Sequence, residues 1–193
     1  MIEQSLATVQ GQIEPADLLL FRGGGWISDA IGTAGRSHYT HAAGIDVWDG
    51  ELYCCEVREF KGGRIVTLAS QVELFPGRID VYKTNPYNNP NYNRQAAALY
   101  MRRFAGCSYG YWSVAWAALL HIPMVRLFYK PDYTIEVNEP LGPKKPPYCS
   151  QAKSMADRLG GGVDTVPNLP DRLTEPADLS RSPFYNYMFT LVP

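Results

Sequence analysis

In this chain of 193 residues, His41, Glu56 and Cys149 together supply the three residue types that nucleophilic catalysis by a thiol requires. A cysteine attacks as its thiolate, a neighbouring histidine takes the thiol proton, and a carboxylate orients the imidazole ring. The chemistry predicted by this set is attack on an acyl carbonyl. Cys149 would be the nucleophile, His41 the general base and Glu56 the residue that orients the base.

A hairpin around Asp49-Gly50 predicts that His41 and Glu56 lie close together. The segments on either side of this dipeptide alternate in hydrophobicity, and Asp-Gly between two such segments is typical of a two-residue turn. The turn fixes the register, so that Ala43 faces Glu56 and His41 faces Arg58. His41 and Glu56 then become diagonal neighbours on one face, about 7–8 Å apart at the backbone and within side-chain reach.

Cys149 stands directly before a predicted helix over 150–159. The unpaired N–H groups and the dipole of a helix N-terminus stabilise a thiolate, and the same N–H groups can hold an oxyanion. By contrast, Cys54 and Cys55 fall within a predicted strand, and Cys107 falls in a turn. Among the four cysteines, Cys149 therefore has the position expected of an activated nucleophile.

Each of these residues also has a structural interpretation. Cys149 could be a buried inert thiol, and Glu56 could form an ordinary cross-strand pair with Arg64. His41 could be a satisfied histidine at a strand end, with His38 as a competitor for its role. A zinc site is the remaining alternative, with ligands drawn from His38, His41, Cys54 and Cys149. Because the chain has no Cys-x-x-Cys pair, no metal ion or other cofactor is expected.

Composition narrows the class of protein further. The net charge is -1, 19% of the residues are charged and 46% are apolar, which argues against a nucleic-acid binder and excludes intrinsic disorder. The pattern of turns and short apolar runs predicts an α+β fold in one domain spanning 1–193. The expected strands cover 17–21, 41–48, 51–59, 64–68, 78–83 and 184–191, and the expected helices cover 93–104, 113–120 and 150–159.

Two segments bear on where the protein is made and works. The N-terminus, Met1–Ser5, lacks the positive region and apolar stretch of a secretory signal, so we expect synthesis in the cytoplasm. The longest apolar run, 112–129, is interrupted by His121, Pro123 and Arg126, which makes it a poor transmembrane span.

The order of His41, Glu56 and Cys149 along the chain resembles that of the circularly permuted papain-like cysteine hydrolases. These are the YiiX-like relatives of the NlpC-type cell-wall endopeptidases, in which the histidine hairpin precedes the cysteine helix. Further matching segments are Pro15–Leu19, Gly106–Gly110 and Glu175–Ser182. This chain departs from the family at three positions, with Ala16 in place of Gly, Gly110 in place of Asp and Gln151 in place of Glu.

The resemblance implies a papain-like (NlpC-type), circularly permuted fold with an antiparallel sheet packed against helices. It further implies a cysteine peptidase or amidase acting on a peptide bond of the peptidoglycan stem. The lack of a signal sequence then suggests a phage or prophage enzyme, carried with virion or tail proteins. Two alternatives stay open: a lipid or acyl-amide hydrolase or acyltransferase on the same fold, and an inactive structural or binding module in an assembly.

Overall fold

A seven-stranded β-sheet organises the computed structural model, which describes residues 2–23, 37–85, 89–120, 146–167 and 169–193. The strands are β1 (Glu3–Ser5), β2 (Leu18–Arg22), β3 (Tyr39–Trp48), β4 (Glu51–Arg58), β5 (Gly62–Thr67), β6 (Arg78–Thr84) and β7 (Tyr185–Val192). Their order in the sheet is β1-β7-β6-β2-β3-β4-β5. The β1–β7 pair is parallel, and every other pair is antiparallel.

Helices cover both faces of this sheet. They are α1 (Leu6–Val9), α2 (Leu68–Leu74), α3 (Arg94–Arg102), α4 (Tyr111–Leu120), α5 (Cys149–Met155) and α6 (Pro176–Arg181). A π-helical turn, Ala156–Gly160, continues α5 directly. The expected α+β class, with a sheet packed against helices, is therefore confirmed. No helix in the described part of the chain is long and apolar enough to cross a membrane.

The two faces of the sheet carry separate cores. On one face, Phe21 and Ile45 pack with Leu68 and Val72 of α2. On the other face, α3, α5 and α6 cover alternate residues of the same strands, such as Leu20, Ala42 and Cys55. This period-two alternation is what a strand buried on both faces requires. The side chains of residues 41 and 56 therefore belong to the α2 face.

The β3–β4 hairpin has the register that the Asp-Gly turn predicts. Trp48 pairs with Glu51, and the pairing continues to Gly44 opposite Cys55. It ends there, short of the expected Ala43–Glu56 pair; beyond this point β3 continues its pairing with β2, and β4 continues its pairing with β5. Asp49 has a φ of 52° and Gly50 a φ of 75°, the left-handed pair that a type I′ turn needs.

Several elements differ from the expectations. The Gly-Gly pair at residues 62 and 63 is typical of a turn, but these residues open β5, and the turn lies at Glu59–Lys61. A Cβ at Gly63 would overlap the carbonyl oxygen of Phe104, so glycine is needed here for close approach of two backbones. The short elements β1, α1, α2 and α6 were not predicted. The sequence also predicts a turn of helix over 26–31 and an extended segment over 131–147. Residues 26–31 and 131–145 lie outside the described residues.

A buried ion pair anchors the helix that begins at Cys149. The Nζ atom of Lys153 lies 2.6 Å from both carboxylate oxygens of Asp157 and donates to the Tyr185 hydroxyl at 2.8 Å. Tyr92 from the loop before α3 donates to the same carboxylate at 2.5 Å. Both charged side chains are almost completely inaccessible to water. Each charge therefore depends on the other for compensation.

We expect Asp157→Leu to lower the free energy of unfolding by about 3–5 kcal/mol, because it leaves the Lys153 ammonium buried without its counter-charge. The double variant Lys153→Met/Asp157→Leu should recover most of that loss. Urea denaturation checks both, with the exposed Glu73→Gln as the control. If the single variant is as stable as the control, the ion pair does not anchor the helix.

Candidate active site

The hairpin brings His41 and Glu56 into direct contact. His41 lies on β3 and Glu56 on β4, and the His41 Nε2 atom is 2.6 Å from the Glu56 Oε2 atom. Both side chains are buried, with 5% and 0% of their surfaces exposed. The ring of His41 also packs edge-on against Phe21, with centroids 5.0 Å apart. These contacts fix the plane of the imidazole.

The second oxygen of Glu56 is held by other groups. Glu56 Oε1 accepts a hydrogen bond from Arg64 Nε at 2.7 Å and one from Gln71 Nε2 at 2.7 Å. Arg58 Nη1 lies 3.8 Å away from the same oxygen. The cross-strand pair with Arg64, weighed as an alternative to the His41 contact, therefore exists together with it.

These partners keep Glu56 ionised. Burial alone would raise the pKa of its carboxyl, but the hydrogen bond and charge of His41 and the charges of Arg64 and Arg58 outweigh it. The result is a pKa lowered from 4.5 to about 2. At neutral pH this group is an anion aimed at the imidazole.

Cys149 is the first residue of α5 and lies beside His41. Its side chain is buried among Cys55, Val57 and Tyr109. The next residue, Ser150, fixes the start of the helix by donating from Oγ to the Thr174 carbonyl oxygen at 2.7 Å. The expected position of Cys149 at the beginning of a helix is thus present, one residue earlier than the predicted helix start.

Both Cys149 and Glu56 raise the pKa of the His41 ring. Burial would lower its pKa, but the charge of Cys149, a hydrogen bond to Cys149 and the carboxylate of Glu56 raise it to about 10. Because Nε2 is occupied by Glu56, Nδ1 is the ring nitrogen left to the thiol. Nδ1 has no partner of ordinary hydrogen-bond geometry among the described residues, so its contact with the sulfur is a weak one that a bound substrate can tighten. The raised pKa favours the imidazolium form of His41 beside the Cys149 sulfur.

The other cysteines lie in environments that suppress the thiolate. Burial, aided by the charge of Glu56, raises the pKa of Cys54 well above its usual value. Burial raises the pKa of Cys55 to about 12 and also raises that of Cys107. His38, the competitor for His41, is exposed on the approach to β3.

Of the departures from the pattern of the resembling family, Gly110 has a physical reason in the fold and Ala16 does not. Gly110 donates its N–H to the Pro147 carbonyl oxygen at 3.1 Å, and a Cβ at this position would overlap the carbonyl oxygen of Pro146. The extended segment before Cys149, at Pro146 and Pro147, thus leaves no room for a side chain. Ala16 has a φ of 64°, the left-handed region that a glycine would occupy without strain. Its N–H donates to the Ile45 carbonyl oxygen at 2.8 Å.

The third departure, Gln151, is different in kind. The residue is buried, and its Oε1 atom has no hydrogen-bond partner among the described residues. A carboxylate in the same place would be a buried charge, so the neutral amide is the less costly group.

Sequence reasoning missed three contributors to the site. Gln71 belongs to α2, which was not predicted, although Thr67 caps that helix by accepting from the Ser70 N–H at 3.3 Å. Tyr109 packs with Cys149, and burial together with the charge of Cys149 raises the pKa of its hydroxyl. Arg64 was considered only as a rival partner for Glu56. A Ser or Thr before an apolar run is the signal that could have located α2.

Comparison with known proteins agrees with the fold. No family model matches the chain, and no curated protein matches it. Among solved structures, it is similar to the one titled as the metalloprotein yiiX from Escherichia coli O157:H7, DUF1105. The two share 14% identity with a TM-score of 0.62, over 94% of this chain and 99% of that one. At this identity the likeness shows a common fold.

The word metalloprotein in that title prompts a test of the residues here. Within the described ranges, no group of three or more His, Cys, Asp or Glu side chains is arranged to hold a metal ion. In addition, His41 Nε2 and both oxygens of Glu56 are already engaged with protein groups. The donor set around Cys149 therefore does not fit a metal ion, and none enters the chemistry below.

The lowered pKa of Glu56 makes its stabilising effect dependent on pH. We expect the free energy of unfolding of wild type to exceed that of Glu56→Gln by a margin that depends on pH. This margin should be about 3 kcal/mol larger above pH 4.5 than below pH 2, since each pKa unit is worth about 1.4 kcal/mol. The difference should shrink as the pH falls from 4.5 to 2, where the folded carboxyl takes up its proton.

Denaturant unfolding at a series of pH values measures this difference directly. Glu73→Gln, at an exposed position, is the matched control and should show no such trend. A wild-type advantage over Glu56→Gln that is constant from pH 2 to pH 6 would contradict an ionised, paired carboxylate.

Proposed function

We propose that the protein is a cysteine hydrolase of the papain-like, circularly permuted class that cleaves an amide bond. The observation that carries this proposal is the buried hydrogen bond between Glu56 and His41, with Cys149 near enough to the ring to raise the pKa of His41. A buried carboxylate, an imidazole with one nitrogen occupied and a thiol facing the other nitrogen are the parts of a thiol hydrolase.

The first half of the reaction forms an acyl-enzyme. The Cys149 thiolate attacks the amide carbonyl carbon, and the backbone N–H of Cys149 at the start of α5 helps to hold the developing oxyanion. The imidazolium of His41 then gives its proton to the leaving amine as the C–N bond breaks. The product is a thioester on Cys149 and a free amine.

The second half reverses the proton transfer. Neutral His41 takes a proton from water as the water oxygen attacks the thioester carbonyl. The C–S bond breaks, the carboxylic acid leaves, and Cys149 returns to the thiolate beside the imidazolium. Throughout, Glu56 keeps the ring in one orientation and stabilises its positive charge.

Chain order supports the permuted form of the fold. The β3–β4 hairpin that holds His41 and Glu56 precedes the helix of Cys149, which is the order that the resemblance to YiiX-like hydrolases implies. The solved yiiX structure shares the fold over nearly its whole length. The same resemblance suggests the substrate, a peptide bond of the peptidoglycan stem.

We expect the purified protein to cut muropeptides, and we expect Cys149→Ala and His41→Ala to lower the rate by at least about a thousandfold, since removing members of a catalytic triad has effects of that order. Mass spectrometry of digests of several wall chemotypes identifies the bond from the new fragments. The matched control is Cys107→Ala, which removes a thiol outside the site.

The alternatives give different results in the same assay. Intact muropeptides of every chemotype, together with a reactive Cys149, would move the substrate to another amide. Muropeptide cleavage that persists in Cys149→Ala would contradict the thiol mechanism. Full biological function of Cys149→Ala without cleavage would favour an inactive module in an assembly.

One observation favours acyl-amide or lipid substrates as a second candidate. An exposed apolar stripe, made of Phe60, Tyr111, Trp112 and Leu119, runs along α4 and includes the tip of the β4–β5 turn. Trp112 is 84% exposed and Phe60 79% exposed. The side chains of Trp116 and Leu120, two further apolar residues of α4, lie outside the described part of the structure.

The stripe extends to the proposed site. Phe60 has a φ of 62°, which is uncommon for a bulky residue, and its N–H donates to the Tyr111 hydroxyl at 2.8 Å. The ring of Tyr111 lies 4.9 Å from that of Tyr109, which packs with Cys149. An acyl chain lying on the stripe would therefore point its carbonyl end toward the thiol.

Under this second candidate, Trp112→Ala should raise KM for a long-chain N-acyl amide by about tenfold or more and leave an N-acetyl amide unaffected, because an aromatic side chain buried on an acyl chain contributes roughly 1.5–3 kcal/mol. Leu74→Ala on α2, at a similarly exposed position, is the control. Equal KM changes for both chain lengths would contradict an acyl-binding role.

A further inference from the structure

We propose that Arg64 and Gln71 are positioning residues for the Glu56–His41 pair, and that they do so by assigning the two oxygens of Glu56 to different partners. This inference rests on the proposed function. The two residues come from different elements, β5 and α2, and both donate to Oε1 at 2.7 Å. Within the described ranges, Oε2 is thereby left to His41.

The geometry restricts the rotation of the carboxylate. A free glutamate side chain rotates about its last torsion, and its two oxygens exchange easily. Here the Arg64 guanidinium donates from Nε and contacts Oε1 through Nη2 as well, while Gln71 approaches the same oxygen from α2. Rotation of the carboxylate out of this plane would break the three contacts with Oε1 together with the contact between Oε2 and His41. Burial makes each broken contact costly.

Gln71 is held in turn by its own surroundings. It is a buried side chain on α2, and its Oε1 atom accepts from Arg58 Nη1 at 3.4 Å, which orients the amide so that its NH₂ group faces Glu56. Arg58 stacks over Phe75 with its guanidinium carbon 5.5 Å from the ring centroid. Arg58, Arg64 and Gln71 therefore form a connected network around Glu56, on the face of the sheet opposite α5.

Charge and orientation make opposite predictions for loss of Arg64. Removing its positive charge would, by charge alone, strengthen the attraction of Glu56 for the imidazolium. Loss of orientation would weaken that attraction, because Oε2 would no longer be fixed against Nε2. Gln71 is neutral and Lys at position 64 keeps the charge, so the variants Gln71→Met and Arg64→Lys isolate orientation from charge.

The test follows alkylation of Cys149 by iodoacetamide against pH in the full chain, with peptide mass mapping of each cysteine. The Cys149 sulfur forms a bond to the methylene carbon and iodide leaves, so the rate reports the thiolate without requiring a substrate. We expect Gln71→Met and Arg64→Met each to slow alkylation at pH 6 by about tenfold, equivalent to one pKa unit. Arg64→Lys should fall between wild type and Arg64→Met.

The control separates this role from a general loss of stability. Arg102→Met removes an ion pair with the buried Asp46, which lies near the far end of β3 from His41. It should destabilise the protein without moving the alkylation profile. Imidazole NMR titration of His41 is the second readout, and its pKa should fall in Gln71→Met even if the fold is only slightly weakened.

The outcomes distinguish the two proposals. If Cys149 in wild type reacts no faster at pH 6 than Cys107, the thiol is not activated and the proposed function fails. If wild-type Cys149 is activated and both Met variants match Arg102→Met, the function stands and the positioning role is wrong. An increased His41 pKa in Arg64→Met with no change in Gln71→Met would assign Arg64 a charge effect alone, which also overturns the proposal.

Discussion

An ionised carboxylate with no exposed surface persists only where protein groups replace its water, and Glu56 is such a group. Its four neighbours, His41, Arg58, Arg64 and Gln71, come from three strands and one helix. Their positions are therefore tied to one another through a single side chain. That one charge is satisfied only when the strand register, the placement of α2 on the sheet and the plane of the imidazole are all in place.

The groups around this charge lie on both faces of the sheet. The α2 face holds the carboxylate and its donors, and the opposite face carries α5, whose first residue is Cys149. His41 connects them, since Nε2 contacts Glu56 and Nδ1 is left to the thiol. The buried pair of Lys153 and Asp157, one turn and two turns below Cys149, fixes α5 against β7. Rigid elements thus support each member of the proposed catalytic set.

What could be predicted from the sequence was mostly local. Alternation and an Asp-Gly turn determine the β3–β4 hairpin, and its register alone places His41 and Glu56 together. Gly63 in β5 and Gly110 beside Pro146 could not be interpreted in this way, because their reason is close approach of backbones distant in sequence. For Gln71, the difficulty was similar, since its role exists only once α2 lies on the sheet.

The contrast between Glu56 and Gln151 shows how burial selects residue type around the thiol. Glu56 can remain an anion because cationic and polar groups converge on it from three strands and one helix, and its pKa is lowered accordingly. Gln151 follows Cys149 by two residues in α5, and its Oε1 has no partner in the described part of the chain. A carboxyl group buried there without partners would be driven toward its protonated form. The amide avoids this effect, so this departure from the family pattern is compatible with a reactive Cys149.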